Sequence, residues 1–456
     1  MHSTINEDGR DNDCSTNCSA TTEVRRLDED KDALSNQEDE REGDEEEQLF
    51  AGIIAAIDIR QLQAFVLAIR KETSPNLTDD VICTVYYPPH TGSYNIVYEV
   101  VFSDDVRWAI RIPAAGDVFS PTFAQTMHLD IVAQRLVSSK TSMPLPHIHY
   151  WSVDAQNALG RPFMITDFVI GTNLSKVWND SQWITDAKRE IIFKQLAWWM
   201  AELAELEFGQ IGRLEVDETS GTCVVVPFPE LSTLIVFADD ETPPPVLGPA
   251  GPFISAHAFL SCVLYARRSL GDSPMLVMLQ LFLSVLPDPA LDGPPFVLGH
   301  TDYDSQNIIV ADDGTITGII DWDGIYVGPR QGGAMAYPSW LTVDWDPLFY
   351  GWAENNSDEE NGRFDSPTEL MKYRRAYLDA VDIASNGKLT QCTRNSHIWQ
   401  ALWIAITNEV ATAPIINRLS KLLFGDEVLG YEIQTGISEG QWYRTGKGDI
   451  VELTAE

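Results

Sequence analysis

Residues Phe296 to Asp323 restrict this chain more than any other stretch. An apolar strand, Phe296-Val-Leu-Gly299, runs into His300-x-Asp302-x-x-x-x-Asn307. The triplet Ile308-Ile-Val310, the turn Asp312-Asp313-Gly314 and a second apolar run ending at Ile320-Asp321-Trp322-Asp323 follow. Two β-branched runs joined by an Asp-Gly turn predict a hairpin. Closing it returns its outer ends, Asn307 and Asp321, to one place, with Asp302 on the loop just before. Carboxylate and amide oxygens gathered at one point repel unless a cation sits among them. Hard oxygens suit Mg²⁺, which keeps some waters and takes the rest of its shell from phosphates. Asp302 is then placed to take the proton of an incoming hydroxyl, while Asn307 and Asp321 hold the metal during phosphoryl transfer. Alone, Asp302 suits the cap of a turn and Asn307 the start of a hairpin; the combination carries the chemistry.

Charge and length bound the rest. The 456 residues carry a net charge of −37, which argues against gripping nucleic acid or anionic lipid. Seventeen acidic and five basic residues fall within 1–48. So many like charges among few apolar side chains predict a disordered acidic arm, either a solvating extension or a tail for a basic protein partner. Six cysteines without a C-x-x-C pair predict no disulfide framework or zinc site. The N-terminus has no basic region followed by an apolar run. No apolar stretch is long enough to span a bilayer. A cytoplasmic protein is the expectation.

Periodicity predicts an amphipathic helix from Leu49 to Lys71. Strands follow at Val81–Tyr87, Tyr94–Phe102 and Arg107–Ile112, then a helix over Phe123–Ser138 and two more strands, His147–Ser152 and Arg161–Val169. From Ser175 onward helices dominate, interrupted by a Pro/Gly-rich insert at Val225–Pro252. The predicted division is an arm (1–48), a helix with a small sheet-rich lobe (49–170), and a larger helical lobe (171–456) containing loop 300–307 and motif 321–323.

The segment from His300 to Asp323 resembles the catalytic loop and metal-binding aspartate of the aminoglycoside phosphotransferase family. It is similar above all to fungal phosphotransferase-like members, relatives of protein kinases and of choline and homoserine kinases. The resemblance extends over most of residues 80–350. It implies an α+β, protein-kinase-like two-lobe fold, with a small antiparallel-sheet N-lobe and a larger helical C-lobe. It also implies ATP or GTP with Mg²⁺, Asp302 as catalytic base, and Asn307 and Asp321 as metal ligands. Asp323 is left between a second metal contact and a solvent-facing side chain. Gly92-Ser93-Tyr-Asn95 resembles the turn that covers the phosphates. Arg111, in Trp108-Ala-Ile-Arg111-Ile-Pro113, falls at the phosphate-clamping basic position, and Asp130 at that of the helix acid that pairs with it. Asp167 and Phe168, in Met164-Ile-Thr-Asp167-Phe168, match the nucleotide-site strand.

The sequence departs from the active pattern at Arg111 (Lys in kinases), Asp130 (Glu) and the single glycine of the turn. Arginine still forks onto phosphate oxygens but is longer and planar. His300 reads as a hydrogen-bonding residue that steadies the loop. Arg107, two residues from Ala109 and four from Arg111, shares the strand face of Arg111. Only Gly324–Ala336 separates Asp323 from Tyr337-Pro338, too little to seat a peptide as protein kinases do. The expected acceptor is therefore a hydroxyl of a small molecule, and the acid excess suits a cationic one. The alternative is a catalytically impaired, pseudokinase-like module that binds nucleotide or a partner.

Overall fold

The computed structural model describes residues 50–78, 80–92, 94–113, 120–235, 247–270, 273–357, 364–425, 433 and 435. The acidic arm and Ser93 lie outside them. The first helical stretch is two helices, α1 (Phe50–Ala56) and α2 (Ile59–Thr73), bent by 72°. The expected single helix breaks because Asp58 accepts from the backbone N–H of Arg60 at 2.8 Å and of Gln61 at 3.3 Å. Such an N-cap starts a new helix inside an apolar periodicity that reads straight through it. Among the described residues no single helix is long and apolar enough to cross a membrane.

The N-terminal sheet is antiparallel throughout. Its strands are β1 (Cys83–Val85), β2 (His90–Thr91), β3 (Asn95–Phe102), β4 (Arg107–Pro113), β5 (Ile148–Ser152) and β6 (Phe163–Asp167). The order is β1-β3-β4-β6-β5, with β2 paired to β3. Strict alternation in β3 buries Ile96, Tyr98, Val100 and Phe102 against Phe50, Ile53, Leu62 and Val66. One face of the sheet is thus covered by α1 and α2. Helix α3 (Pro121–Lys140) is capped by Ser120, whose hydroxyl accepts from the Phe123 N–H at 3.0 Å. Arg107 is bonded to Glu99 at 3.1 Å and does not share the partners of Arg111.

After β7 (Thr172–Asn173) and α4 (Leu174–Val177), the chain forms α5 (Asp186–Ala204), β8 (Glu207–Phe208) and a hairpin of β9 (Arg213–Val216) with β10 (Cys223–Val226). Within the expected insert loop, β10 opens the segment and Phe228 bridges to Ala250; residues 236–246 lie outside the described residues. Helices α6 (Ala256–Leu270) and α7 (Pro274–Val285) lead to β11 (Phe296–Gly299), β12 (Ile308–Val310), β13 (Ile316–Ile319) and β14 (Tyr326–Gly328). Helices α8 (Pro367–Ser385), α9 (Thr390–Arg394), α10 (Ser396–Thr407) and α11 (Thr412–Phe424) complete the larger lobe around one extensive apolar core. This is an α+β arrangement, a small antiparallel sheet followed by a larger, mainly helical lobe.

β11 approaches a neighbouring backbone closely just before the loop at His300. A Cβ on Gly299 would stand 2.4 Å from the Gly333 Cα. Backbone cannot rotate away as a side chain can, so Gly299→Ala is expected to cost about 3 kcal/mol, the upper part of the overpacking range. A lower midpoint in urea unfolding, with the slope unchanged, measures it; an unchanged midpoint would contradict the packing described.

Candidate active site

The hairpin predicted from the turn Asp312-Asp313-Gly314 is present. β12 and β13 pair antiparallel with Ile308 opposite Ile319, and the Ile320 N–H donates to the Asn307 carbonyl at 2.9 Å. Asn307 and Asp321 are thereby brought side by side, as the outer ends of a closed hairpin must be.

Asp302 is anchored by two amides. Asn307 Nδ2 donates to its Oδ2 at 2.7 Å and to its backbone carbonyl at 2.9 Å, and Gln306 Nε2 donates to the same Oδ2 at 2.8 Å. These bonds fix the carboxylate without supplying a positive charge. Gln306 is a contact that motif reading missed, because its position in the loop carries no fixed residue type.

His300 is buried and stacks edge-on against Trp322, ring centroids 4.7 Å apart. Its Nε2 lies 2.8 Å from the Ile320 carbonyl, and its Nδ1 accepts from the Asp302 N–H at 3.2 Å. This pair of partners requires the proton on Nε2. Burial lowers its pKa, against the opposing pull of the Ile320 carbonyl and nearby carboxylates. A neutral imidazole with both nitrogens engaged steadies the loop.

The turn after β13 is strained. Asp321 has φ +61° and Gly324 φ +74°, conformations unfavourable for the non-glycine residue and held only where neighbours over-determine them. Trp322 Nε1 donates to the Ile319 carbonyl at 2.9 Å, and the Thr301 hydroxyl donates to the Asp323 carbonyl at 2.7 Å. Asn95 Nδ2 reaches Asp323 Oδ2 at 3.3 Å.

Arg111, on β4, bonds both aspartates, with one terminal nitrogen 2.7 Å from Asp321 Oδ1 and 3.1 Å from Asp323 Oδ2. Burial pushes its pKa down, but Asp323 and Asp321 more than offset that and the net shift is upward. Asp323 therefore faces the cleft and the arginine. Among the described residues no group of three His, Cys, Asp or Glu closes around one point. The donors are a partial shell, the kind that Mg²⁺ completes with phosphate oxygens and water. A guanidinium seated between Asp321 and Asp323 shows that these carboxylates already favour a cation, so the residues fit the metal.

One expected pairing on the nucleotide side is corrected. Asp130, on α3, does not pair with Arg111; its carboxylate bonds Arg213 of β9 at 2.5 Å. The shorter acid does not take the arginine of β4, which Asp321 and Asp323 already hold. Burial pushes the Asp130 pKa up to about 7, against the pull of Arg213. Asp167 and Phe168 line neither cavity described below. The Asp167 carboxylate is spent on His149 Nε2 at 2.7 Å and the His147 N–H at 3.0 Å, and the Phe168 N–H donates to the Arg107 carbonyl at 3.0 Å. Gly92 donates its N–H to the Asn95 carbonyl at 3.0 Å within its own turn.

Two cavities meet at this site. One of about 870 Å³ is bordered by Asp302, Asp304, Tyr337, Asp346 and Trp403. The other, about 220 Å³, is bordered by Arg111, Asp130, Gln134 and Met164. Tyr94, Thr126, Asp323 and Gly324 border both. Tyr94 is 80% exposed, an aromatic side chain over the junction that motif reading passed over.

The curated relatives include "Altered inheritance of mitochondria protein 9, mitochondrial" of Candida albicans (strain SC5314 / ATCC MYA-2876), 25% identical over 155 residues, which are 33% of this chain and 24% of that protein. The protein of the same name from Kluyveromyces lactis is 24% identical over 131 residues, 27% of this chain and 21% of its own length. The chain thus matches only about a quarter of these relatives. Their names overturn the cytoplasmic expectation, which rested on sparse cysteines and the N-terminal sequence. Among solved structures, a macrolide 2'-phosphotransferase type I aligns at TM-score 0.39 with 12% identity, covering 84% of this chain and 97% of that one. A Plasmodium vivax ethanolamine kinase aligns at 0.40 with 13% identity, covering 82% and 87%. Residues 241–350, which include Asp302, Asn307, Asp321 and Asp323, match the model of the phosphotransferase enzyme family.

Proposed function

We propose that the protein is a Mg²⁺-dependent phosphotransferase that moves the terminal phosphoryl group of ATP, or of GTP, onto a hydroxyl of a small molecule. The observation that carries this reading is the junction of the two cavities, where Asp302 borders the larger one while Arg111, Asp321 and Asp323 cluster beside it. Bound Mg²⁺ would supply charge neutralisation at the phosphates. Asn307, Asp321 and Asp323 would hold it, and Arg111 would bind the phosphate oxygens. Asp302 orients the acceptor hydroxyl and takes its proton as the new O–P bond forms and the bond to the β-phosphate oxygen breaks. Asp304, Asp346 and the aromatic rings of Tyr337 and Trp403 suit a cationic acceptor, by charge and by cation–π contact.

One observation favours a second reading, a nucleotide-binding or interaction module without turnover: Arg111 sits on the two acids that a metal needs. Thermal-shift titration with ATP and GTP, with and without Mg²⁺, on wild type and Asp321→Ala, tests the site, followed by turnover with amino alcohols and amino sugars. A ligand at a hundredfold excess over its Kd stabilises by about 2.7 kcal/mol. A metal-dependent rise in Tm that Asp321→Ala loses is expected, together with phosphorylated acceptor. No shift at millimolar nucleotide refutes the site; a shift without turnover on any acceptor selects the second reading.

A further inference from the structure

The larger cavity, about 870 Å³, is roomier than a simple amino alcohol requires; cavities of about 300–1,000 Å³ enclose ligands of drug size. Much of its polar lining is engaged within the protein. Asp304 accepts from the Ser305 hydroxyl at 2.9 Å and from the Ser339 hydroxyl at 2.5 Å. Gln400 donates to the Tyr337 carbonyl at 2.9 Å and accepts from the Thr342 hydroxyl at 3.2 Å. The Thr407 hydroxyl donates to the Trp403 carbonyl at 2.9 Å. An acceptor rich in hydroxyls would give up its bonds to water here and find few free partners, which selects against it.

Asp346, on the border of the same cavity, is the exception. Asp344, two residues earlier, takes Arg374 at 2.6 Å and Arg418 at 3.2 Å. Asp346 Oδ1 accepts the Leu348 N–H at 3.1 Å, and among the described residues no cationic side chain pairs with it. Burial pushes its pKa up, against its backbone bonds to Leu348 and Phe349. Flat apolar surface lies on the same cavity. Trp403 is held in one orientation, its ring stacked against Phe259 with centroids 5.4 Å apart and against Trp399 at 6.0 Å. Phe349, three residues from Asp346, is 69% exposed, and Leu234 and Ile404 border the cavity as well.

We propose that the acceptor is an aryl amino alcohol: Asp346 receives its ammonium group, Phe349 and Trp403 cover its flat apolar body, and its hydroxyl meets Asp302. An ammonium supplies the cation that Asp346 lacks, through a charge-assisted bond. The aromatic body buries apolar area and stacks on rings already fixed in place. In the transfer the hydroxyl oxygen bonds the terminal phosphorus of ATP, the bond to the β-phosphate oxygen breaks, ADP leaves, and the hydroxyl proton passes to Asp302. That step rests on the phosphotransferase reading; the preference of the cavity for such a molecule does not.

The test titrates the full chain by calorimetry, without nucleotide, with phenylalaninol, ethanolamine and glucosamine. Phenylalaninol is expected to bind about tenfold more tightly than either of the others, from the apolar area its ring buries. Asp346→Asn keeps the acceptor for the Leu348 N–H and loses the charge, and is expected to weaken phenylalaninol about tenfold. Phe349→Ala, at a position exposed enough to leave the fold intact, is expected to narrow the advantage of phenylalaninol over ethanolamine several-fold. No binding, or equal affinity for the three probes, would overturn the proposal, as would a phenylalaninol affinity that neither variant changes. With Mg²⁺ and ATP added, kcat/KM is expected to be highest on phenylalaninol. A higher value on ethanolamine or glucosamine would overturn the proposal and leave the phosphotransferase reading intact. Selective binding with no product from any probe would defeat the phosphotransferase reading, while the class of molecule that the cavity takes would stand.

Discussion

Asp302→Asn is expected to lower kcat by roughly 10²–10⁴-fold, the range for loss of a positioned general base. Tm and the affinity for Mg²⁺ and nucleotide should stay close to wild type. The asymmetry follows from how Asp302 is held. Asn307 and Gln306 donate amide protons to its Oδ2, and the carbonyl oxygen of an asparagine can accept both bonds in the same place. The loop therefore keeps its shape, and what disappears is the ability to take a proton. Asp302 also borders the larger cavity, apart from the contacts of Arg111 with Asp321 and Asp323. An interaction made only as the hydroxyl gives up its proton affects kcat and kcat/KM together. Steady-state kinetics with a competent acceptor, beside a nucleotide titration, separates the two. Undiminished kcat would remove Asp302 from the chemistry, and parallel loss of nucleotide binding would mean that it shapes the site instead.

How far the sequence reveals this site depends on the distance between the interacting residues. The β12–β13 hairpin is legible because turn residues and β-branched runs are local signals, and closing a hairpin obliges its ends to meet. The alternation Ile96, Tyr98, Val100, Phe102 likewise exposes a half-buried strand. The break before α2 escapes because a periodicity of apolar residues does not weigh a single carboxylate that captures two N–H groups. The partner of Asp130 escapes for a stronger reason. Arg213 is 83 positions away along the chain and belongs to no motif, so residue type and spacing at Asp130 point only to the family's habitual partner. A signal does exist in the charged residue set in the apolar run Ile211-Gly212-Arg213-Leu214, since a cation in such surroundings is rarely buried without a pair. It indicates that a partner is needed without saying which.

Arg111→Met is expected to move two affinities in opposite directions, a result that misfolding does not mimic. The guanidinium lies between Asp321 and Asp323, where a cation is wanted, so a divalent ion is expected to displace it. Removing the arginine leaves two carboxylates that are 43% and 52% exposed, which water can solvate; the stability cost is then small, about 1 kcal/mol or less. Freed of their internal cation, the acids should bind Mn²⁺ alone several-fold more tightly, as read by electron paramagnetic resonance. The same variant lacks the donors that fork onto phosphate oxygens, and charge-assisted bonds of that kind contribute about 1.5–3 kcal/mol each. Affinity for nucleotide with Mg²⁺ should accordingly fall on the order of 10–100-fold. Arg111→Lys should regain part of the nucleotide affinity as a point charge without the planar fork. Weaker Mn²⁺ binding in Arg111→Met would show that the arginine organises the acids for the metal and does not compete with it. Unchanged nucleotide affinity would release Arg111 from the phosphate-binding role.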